Sequence, residues 1–415
     1  MSTRGEHLVR ADRRFATGGG LVARLSAPAI TRVLDEIDRR LKVGGIDATL
    51  PDGTKRRLGS SGKGARAVVQ LSSWMSLVRL ATSGSVGWYK AWTLGEWSSP
   101  DPVKIFDLFS ANAGPLGEIG RAKGAFRWVN ALAHRRRDNA PHKAKLNISA
   151  HYDLGNDFYS AWLDSTMTYS SARFSSSGDS LEEAQLHKIN RLLDRLELKA
   201  GQRLLEIGCG WGTLALEAAK RGALVVGLTL STEQKAWADR KIADAGLKDR
   251  VEVRLQDYRD TSEQFDALAS VEMVEAVGQR WWGAYLDSIA RNLRAGGRAT
   301  LQFISIRHEL FERYARNADF IQTYIFPGGC LLDEPRFAEL GRERGLSWQD
   351  REGFALDYAE TLKRWRERYN EAVAGGALGG FADSFHNLWR YYLMYCEGGF
   401  RGGAIDVAQV TMVKS

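Results

Sequence analysis

Cysteine is scarce in this 415-residue chain: Cys209, Cys330 and Cys396 lie far apart and form no Cys-x-x-Cys pair. That excludes a disulfide framework and a zinc knuckle, and it suits a reducing cytoplasm. No apolar run approaches the roughly 18–20 residues of a membrane span. The opening MSTRGEHLVRADRRF has charge but no apolar core and no small-residue cleavage site, so no secretory signal is expected. Internal repeats are absent. What is left is ordinary globular composition, 44% hydrophobic and 26% charged, in a chain long enough for two domains with real cores.

Acidic charge is also in deficit. A formal net charge of +8 points toward a polyanion, either nucleic acid or an anionic membrane surface. His134-Arg135-Arg136-Arg137 and Lys143-Ala144-Lys145 face only Asp138 in opposition. The stretch reads either as a solvated linker or as a membrane-facing patch worth about 1 kcal/mol per Lys or Arg near anionic lipid. No RNA-binding signature accompanies it, so no nucleic-acid partner is expected.

Residues 1–29 form a basic, Gly-rich N-terminus expected to be partly mobile. From Ala29 to Leu41, Ile30, Val33, Leu34 and Ile37 recur at helical spacing. Ile46 to Leu50 then meets the turn Pro51-Asp52-Gly53 and a returning strand, and residues 67–71 read as another strand. Trp74, Trp88, Trp92 and Trp97 crowd the next stretch, which suits a core, and also a membrane interface. These features predict a small α+β domain over 30–133 that docks on lipid, followed by a basic linker over 134–147.

Residues 148–415 read differently. Strands at 203–207, 224–229, 251–255, 266–271 and 297–303 alternate with amphipathic helices such as 232–246 and 282–293. This alternation predicts an α/β, doubly wound, mostly parallel sheet, whose ligands bind beyond the carboxyl ends of the strands. The first strand runs into Glu206-Ile207-Gly208-Cys209-Gly210-Trp211-Gly212. Glycines at 208, 210 and 212 let the backbone pass close beneath a ligand. The helix from Thr213 offers unpaired N–H groups to a carboxylate, and Glu206 can accept from an ammonium. The spacing is Gly-x-Gly-x-Gly, not the Gly-x-Gly-x-x-Gly of dinucleotide sites. S-adenosylmethionine is the cofactor this loop suits, in a methyltransferase-type domain of class I.

The second strand ends in Thr229-Leu230-Ser231-Thr232-Glu233-Gln234, where most such sites carry an acid for the ribose. With it come His151-Tyr152-Asp153-Leu154-Gly155-Asn156-Asp157, Met167-Thr168-Tyr169-Ser170-Ser171-Ala172, Val271-Glu272-Met273-Val274-Glu275-Ala276-Val277-Gly278, Tyr324-Ile325-Phe326-Pro327-Gly328-Gly329 and Cys396-Glu397-Gly398-Gly399-Phe400-Arg401. Together these motifs closely resemble the cyclopropane-fatty-acyl-phospholipid synthase family, related to the mycolic acid cyclopropane synthases, over roughly residues 30–415.

The resemblance implies transfer of a methylene or methyl group from S-adenosylmethionine to the cis double bond of an unsaturated phospholipid chain, closing to a cyclopropane. It also implies peripheral work at the anionic inner face of the cytoplasmic membrane, and a homodimer would be in keeping with the family. Cofactor contacts carried over are Tyr152, Tyr169, Ser170, Glu206, Gly208, Gly210, Gly212, Thr229, Leu230, Gln234, Asp257 and Tyr258; no metal is implied. In the family a bicarbonate ion, held by a Cys, a Glu, a His and a Tyr, takes the proton. Here Glu275 and Tyr358 match, Ser171 stands at the Cys position, and Ile304 stands at the His position. This alteration touches proton abstraction, not methyl transfer. It opens a second outcome, C-methylation without ring closure, giving a methyl- or methylene-branched chain. A soluble methyltransferase for another substrate, or a lipid-binding relic of one, are the competing readings.

Overall fold

A computed structural model describes residues 4–9, 27–59, 64, 66–116 and 154–415. His151, Tyr152 and the basic stretch 134–147 lie outside the described residues, as does most of the N-terminus. The chain forms two compact units, neither of them continuous: Met1–Arg137, Glu309–Pro327 and Gly379–Ile405 make one, and Asp138–His308, Gly328–Leu378 and Asp406–Ser415 the other.

In the first unit, β1 (Gly45–Thr49), β2 (Lys55–Leu58), β3 (Arg66–Leu71) and β4 (Trp97–Ser98) form a sheet in the order β2-β1-β3-β4. The β1–β2 reversal is the expected turn. Asp52 accepts from the Thr54 N–H at 2.9 Å, and Gly53 takes the positive φ that the bend requires. The tryptophans serve the core. Trp88 and Trp97 stack at 4.4 Å, and Trp97 Nε1 donates to the Trp88 carbonyl at 2.9 Å. Tyr89, Phe320 and Tyr391 pack on one another in tilted and edge-on pairs, with Trp92 against Tyr89 and Tyr391.

This unit corrects the expected boundaries. Residues 309–327 and 379–405 were assigned to the catalytic domain, yet they fold with the N-terminal segment. The reason is close packing between the helices Pro102–Ala111 and Asp383–Arg401. A Cβ on Gly398 would lie 2.4 Å from Phe106 Cβ and 2.7 Å from the Asp107 nitrogen. The C-terminal glycine motif is therefore a helix-packing seam. Its Glu397 and Arg401 pair with each other at 2.9 Å.

The second unit carries a seven-stranded sheet in the order β10-β11-β9-β8-β5-β6-β7. Its strands are β5 (Arg203–Ile207), β6 (Leu224–Thr229), β7 (Val251–Leu255), β8 (Phe265–Val271), β9 (Leu293–Ile306), β10 (Leu346–Gly353) and β11 (Ile405–Lys414). β7, β6, β5, β8 and β9 run parallel, each to its neighbour. The buried run Leu204-Leu205-Glu206-Ile207 puts β5 at the centre, covered on both faces as a parallel strand requires. β6 and β8 leave β5 on opposite sides, so the carboxyl end of β5 is the topological switch point. The helix Leu181–Arg195 begins with a full capping box between Ser180 and Glu183, then packs Leu192 and Leu193 beneath the sheet. Among the described residues no helix is long and apolar enough to cross a membrane.

Candidate active site

β5 ends at Ile207, just past Glu206, and the chain then turns through three glycines of positive φ, Gly208, Gly210 and Gly212. They serve different ends. A Cβ on Gly208 would strike the Met273 side chain at 2.7 Å, and one on Gly212 would meet Ala238 at 2.9 Å. Both are packing glycines. A Cβ on Gly210 would meet nothing within 4 Å, so the loop leaves space there.

Glu206 is buried and accepts from the Ala215 N–H in the first turn of the helix Thr213–Lys220. Its Oε2 is buried with no partner among the described residues. Burial pushes this carboxyl up to about 8, against the opposing charge of Lys188. An unsatisfied buried acceptor beside open space over a glycine fits the ammonium end of S-adenosylmethionine.

Other expected cofactor contacts line the neighbouring strand ends. The Thr229 hydroxyl donates to Gln234 Oε1 at 2.9 Å and accepts from the Ser231 N–H, while Ser231 caps the helix Thr232–Asp244. Leu230, between them, is half-buried. Asp257 grips Arg259 through both oxygens, at 2.8 and 2.6 Å, so its charge is already matched within the loop. Tyr258 rests edge-on against Tyr285, and burial raises its phenol to about 12. Trp211 Nε1 donates to Asn156 at 2.7 Å, which ties the glycine loop to the motif around residue 155. Tyr169 stands among Tyr159, Trp162 and Trp365 at 5.3 to 5.5 Å. Ser170 Oγ accepts from Lys188 Nζ at 2.6 Å.

The residues expected to handle the proton gather at the carboxyl end of β8. Glu275 is held by the Ile304 N–H on one oxygen, and its other oxygen is buried without a partner among the described residues. Burial, with the charge of Glu272, raises it to about 8. Tyr358 does not reach Glu275. Its hydroxyl donates instead to Glu272 Oε2 at 2.8 Å. Glu272 Oε1 accepts from the Ser171 N–H at 2.9 Å and from Gln302 Nε2 at 2.8 Å. The Ser171 hydroxyl donates to the Ala172 carbonyl at 2.9 Å. Ile304 contributes main chain alone, its carbonyl accepting from Leu332 at 3.0 Å.

Sequence reasoning missed three members of this group: Glu272, Gln302 and Lys188. The signals were present. Glu272 is a second carboxylate in an otherwise apolar segment, and Lys188 falls on the buried face of its helix between Ala184 and Leu192. Lys188 is enclosed, and burial lowers its ammonium to about 8 despite the charges of Glu272, Asp164 and Glu206.

Removing the Tyr358 hydroxyl should show how Glu272 is held. A phenol that donates to a carboxylate favours its charged form. In Tyr358→Phe, Glu272 therefore titrates higher, and the limb on which activity rises with pH moves to higher pH. We expect that shift with roughly a tenfold fall in kcat, measured as a pH–rate profile; an unmoved limb would separate Tyr358 from the ionisation that matters.

Comparison with known proteins agrees with this fold. Residues 139–410 match the family model described as mycolic acid cyclopropane synthetase. A tuberculostearic acid methyltransferase of Mycobacterium tuberculosis is 38% identical over 81% of this chain and 80% of its own length. The cyclopropane-fatty-acyl-phospholipid synthase of Escherichia coli is 35% identical over 80% of this chain and 84% of its own. A solved mycolic acid cyclopropane synthase, in complex with S-adenosylhomocysteine and CTAB, superposes with a TM-score of 0.61 at 34% identity, covering 65% of this chain and 98% of that one.

Proposed function

Since the chain belongs to the mycolic acid cyclopropane synthetase family and is an S-adenosylmethionine-dependent methyltransferase, we propose that it methylates the cis double bond of a membrane phospholipid acyl chain and releases a methyl- or methylene-branched product. Ring closure, the outcome expected first from the sequence, becomes the second reading.

One observation carries this order. The set expected to hold a bicarbonate over the new methyl group is not assembled: Ile304 offers only main chain, the Ser171 hydroxyl donates to a neighbouring carbonyl, and the Tyr358 hydroxyl is taken by Glu272. When bound, S-adenosylmethionine supplies an electrophilic methyl. An alkene is a weak nucleophile, so the protein's part is to orient it and exclude water. Glu206 and the space over Gly210 would hold one end of the cofactor. The alkene's π pair would form the new C–C bond as the sulfonium S–C bond breaks and the thioether leaves, putting positive charge on the adjacent carbon. A proton lost from the new methyl, with closure, gives the ring. One lost from a chain carbon next to the cation leaves a methyl-branched alkene, and a hydride shift onto the cation before loss of a methyl proton leaves a methylene branch.

The phospholipid and its membrane surface rest on the similarity to the Escherichia coli cyclopropane-fatty-acyl-phospholipid synthase and on the +8 charge of this chain. The test is fatty-acid mass spectrometry on a host making unsaturated phospholipids, with and without this protein. We expect a gain of one CH₂ in a product that takes up hydrogen under mild conditions. A product that resists hydrogenation would restore ring closure; no mass gain would remove the acyl chain as substrate.

A further inference from the structure

The bicarbonate expected from the family does not fit this site, because the donors that would hold an anion are already engaged. Glu272 occupies them. Its carboxylate takes the Ser171 N–H, the Tyr358 hydroxyl and the Gln302 side-chain N–H, all at 2.8 to 2.9 Å. Two of these three residues, Ser171 and Tyr358, stand where the family's anion holders stand. Gln302 is itself fixed by Gln409, whose Nε2 donates to its Oε1 at 3.1 Å. Three donors converging on one buried carboxylate is the coordination of a bound anion.

Glu272 also reaches this seat at a backbone cost. Its φ is +48°, in the left-handed region that a non-glycine residue seldom occupies and that such a side chain holds only when its surroundings fix it. The segment lies against the glycine loop, since Met273 is what a Cβ on Gly208 would strike. The seat is therefore beside the cofactor loop, at the carboxyl end of β8.

We propose that Glu272 replaces the family's bound bicarbonate: this chain carries its own carboxylate proton acceptor, seated on Ser171, Gln302 and Tyr358. This inference rests on the methyl-transfer reading above. In the step, a C–H bond of the methylated chain breaks. Its electron pair becomes the new C=C bond and quenches the cation, and the proton passes to a Glu272 oxygen, from which it later returns to solvent.

The charges around the pair assign the roles. Burial raises both carboxyls. Against it Glu272 has three donors and the Lys188 ammonium, whereas Glu275 has only the main-chain N–H groups of Ile304 and of its own residue and also meets the negative charge of Glu272. Two buried carboxyls that close in influence divide into one ionised and one neutral. Glu272 keeps the charge, and Glu275 keeps the proton.

The test uses bicarbonate itself as the probe on the full-length protein. Binding of ¹³C-bicarbonate is followed by NMR for wild type, Glu272→Gln and Glu272→Gly, and turnover is measured in carbonate-stripped and carbonate-replete buffer. We expect no bicarbonate binding and no carbonate dependence in wild type. Glu272→Gln should lose roughly 10²-fold in kcat, the ordinary share of a general base, while its S-adenosylmethionine affinity stays within twofold. Glu272→Gly, which relieves the backbone and vacates the seat, should bind bicarbonate and recover turnover when it is added. Bicarbonate bound by wild type, turnover of wild type that depends on it, a Glu272→Gln variant within threefold of wild type, or a Glu272→Gly seat that binds no anion would each overturn the proposal. The binding arm reads the seat whatever the substrate is. Failure of the acyl-chain reading, seen as no turnover by wild type on any unsaturated phospholipid, therefore stays distinguishable from failure of this one.

Discussion

Replacing Glu206 by glutamine should weaken S-adenosylmethionine binding by about 2–3 kcal/mol, or roughly 30- to 150-fold at pH 8, while making the free protein more stable at alkaline pH. Both effects come from one buried oxygen. Glu206 Oε2 has no partner among the described residues, and burial raises the carboxyl to about 8. An unfolded glutamate titrates near 4.3, so between those values the folded protein holds a proton that the unfolded chain has released. The stability tied to that proton is complete below the unfolded pKa and is lost as pH rises through about 8. Glutamine does not titrate. The variant's melting temperature should therefore gain on wild type steadily from pH 5 to about pH 8 and level off above it.

Cofactor binding reverses the preference, because an ammonium favours the carboxylate and expels its proton. Wild-type affinity should thus rise with pH, by up to tenfold per unit below pH 8, and flatten above it; the variant's should show no such slope. Calorimetry in buffers of different ionisation enthalpy counts the released proton directly. Affinity of Glu206→Gln within threefold of wild type would mean that the ammonium is held elsewhere.

The second large effect is structural and lies in the first unit. Gly398→Ala should destabilise the protein by about 2–3 kcal/mol, the upper part of the usual overpacking range. The added methyl would come within 2.4 Å of Phe106 Cβ, 2.7 Å of the Asp107 nitrogen and 2.8 Å of the Val103 carbonyl. Two of those three are main-chain atoms of a regular helix, which cannot swing aside as a side-chain tip can. Gly402 makes an independent check, since a Cβ there would lie 2.3 Å from the Asp107 carbonyl. The urea midpoint of the first unfolding transition reads the effect. A shift worth less than 0.5 kcal/mol, a threshold set by ordinary surface substitutions, would show that the two helices can separate without cost.

Much of the catalytic unit was legible in the residues. The five parallel strands and the helices after β5 and β6 fall within a few residues of their expected places, because apolar runs and caps are local signals. Ser231 before Thr232 and the glycines after Glu206 mark their boundaries by chemistry that needs no distant partner. The signature of Glu206 was equally local: a carboxylate at the end of an apolar strand, two positions before the first glycine of the turn.

The proton-handling group was not legible in the same way. Tyr358 and Glu272 are 86 positions apart, and nothing in either neighbourhood says that this pair forms in place of Tyr358 with Glu275. Which carboxyl is reached depends on how the helix Ala355–Ala374 lies against the end of β8, and on the turn that gives Glu272 its positive φ. Domain membership failed for a related reason. Residues 309–327 and 379–405 carry helical patterns that fix their own conformation, but a pattern does not name the surface it packs on. The sequence by itself determined the strands, the glycine loop, the cofactor class and the family, since these depend on neighbours within a few residues. Only the tertiary structure decided which carboxylate holds the anion seat, which lysine is buried beneath it, and which segments share a core, because each is a choice among long-range partners made by burial and close packing.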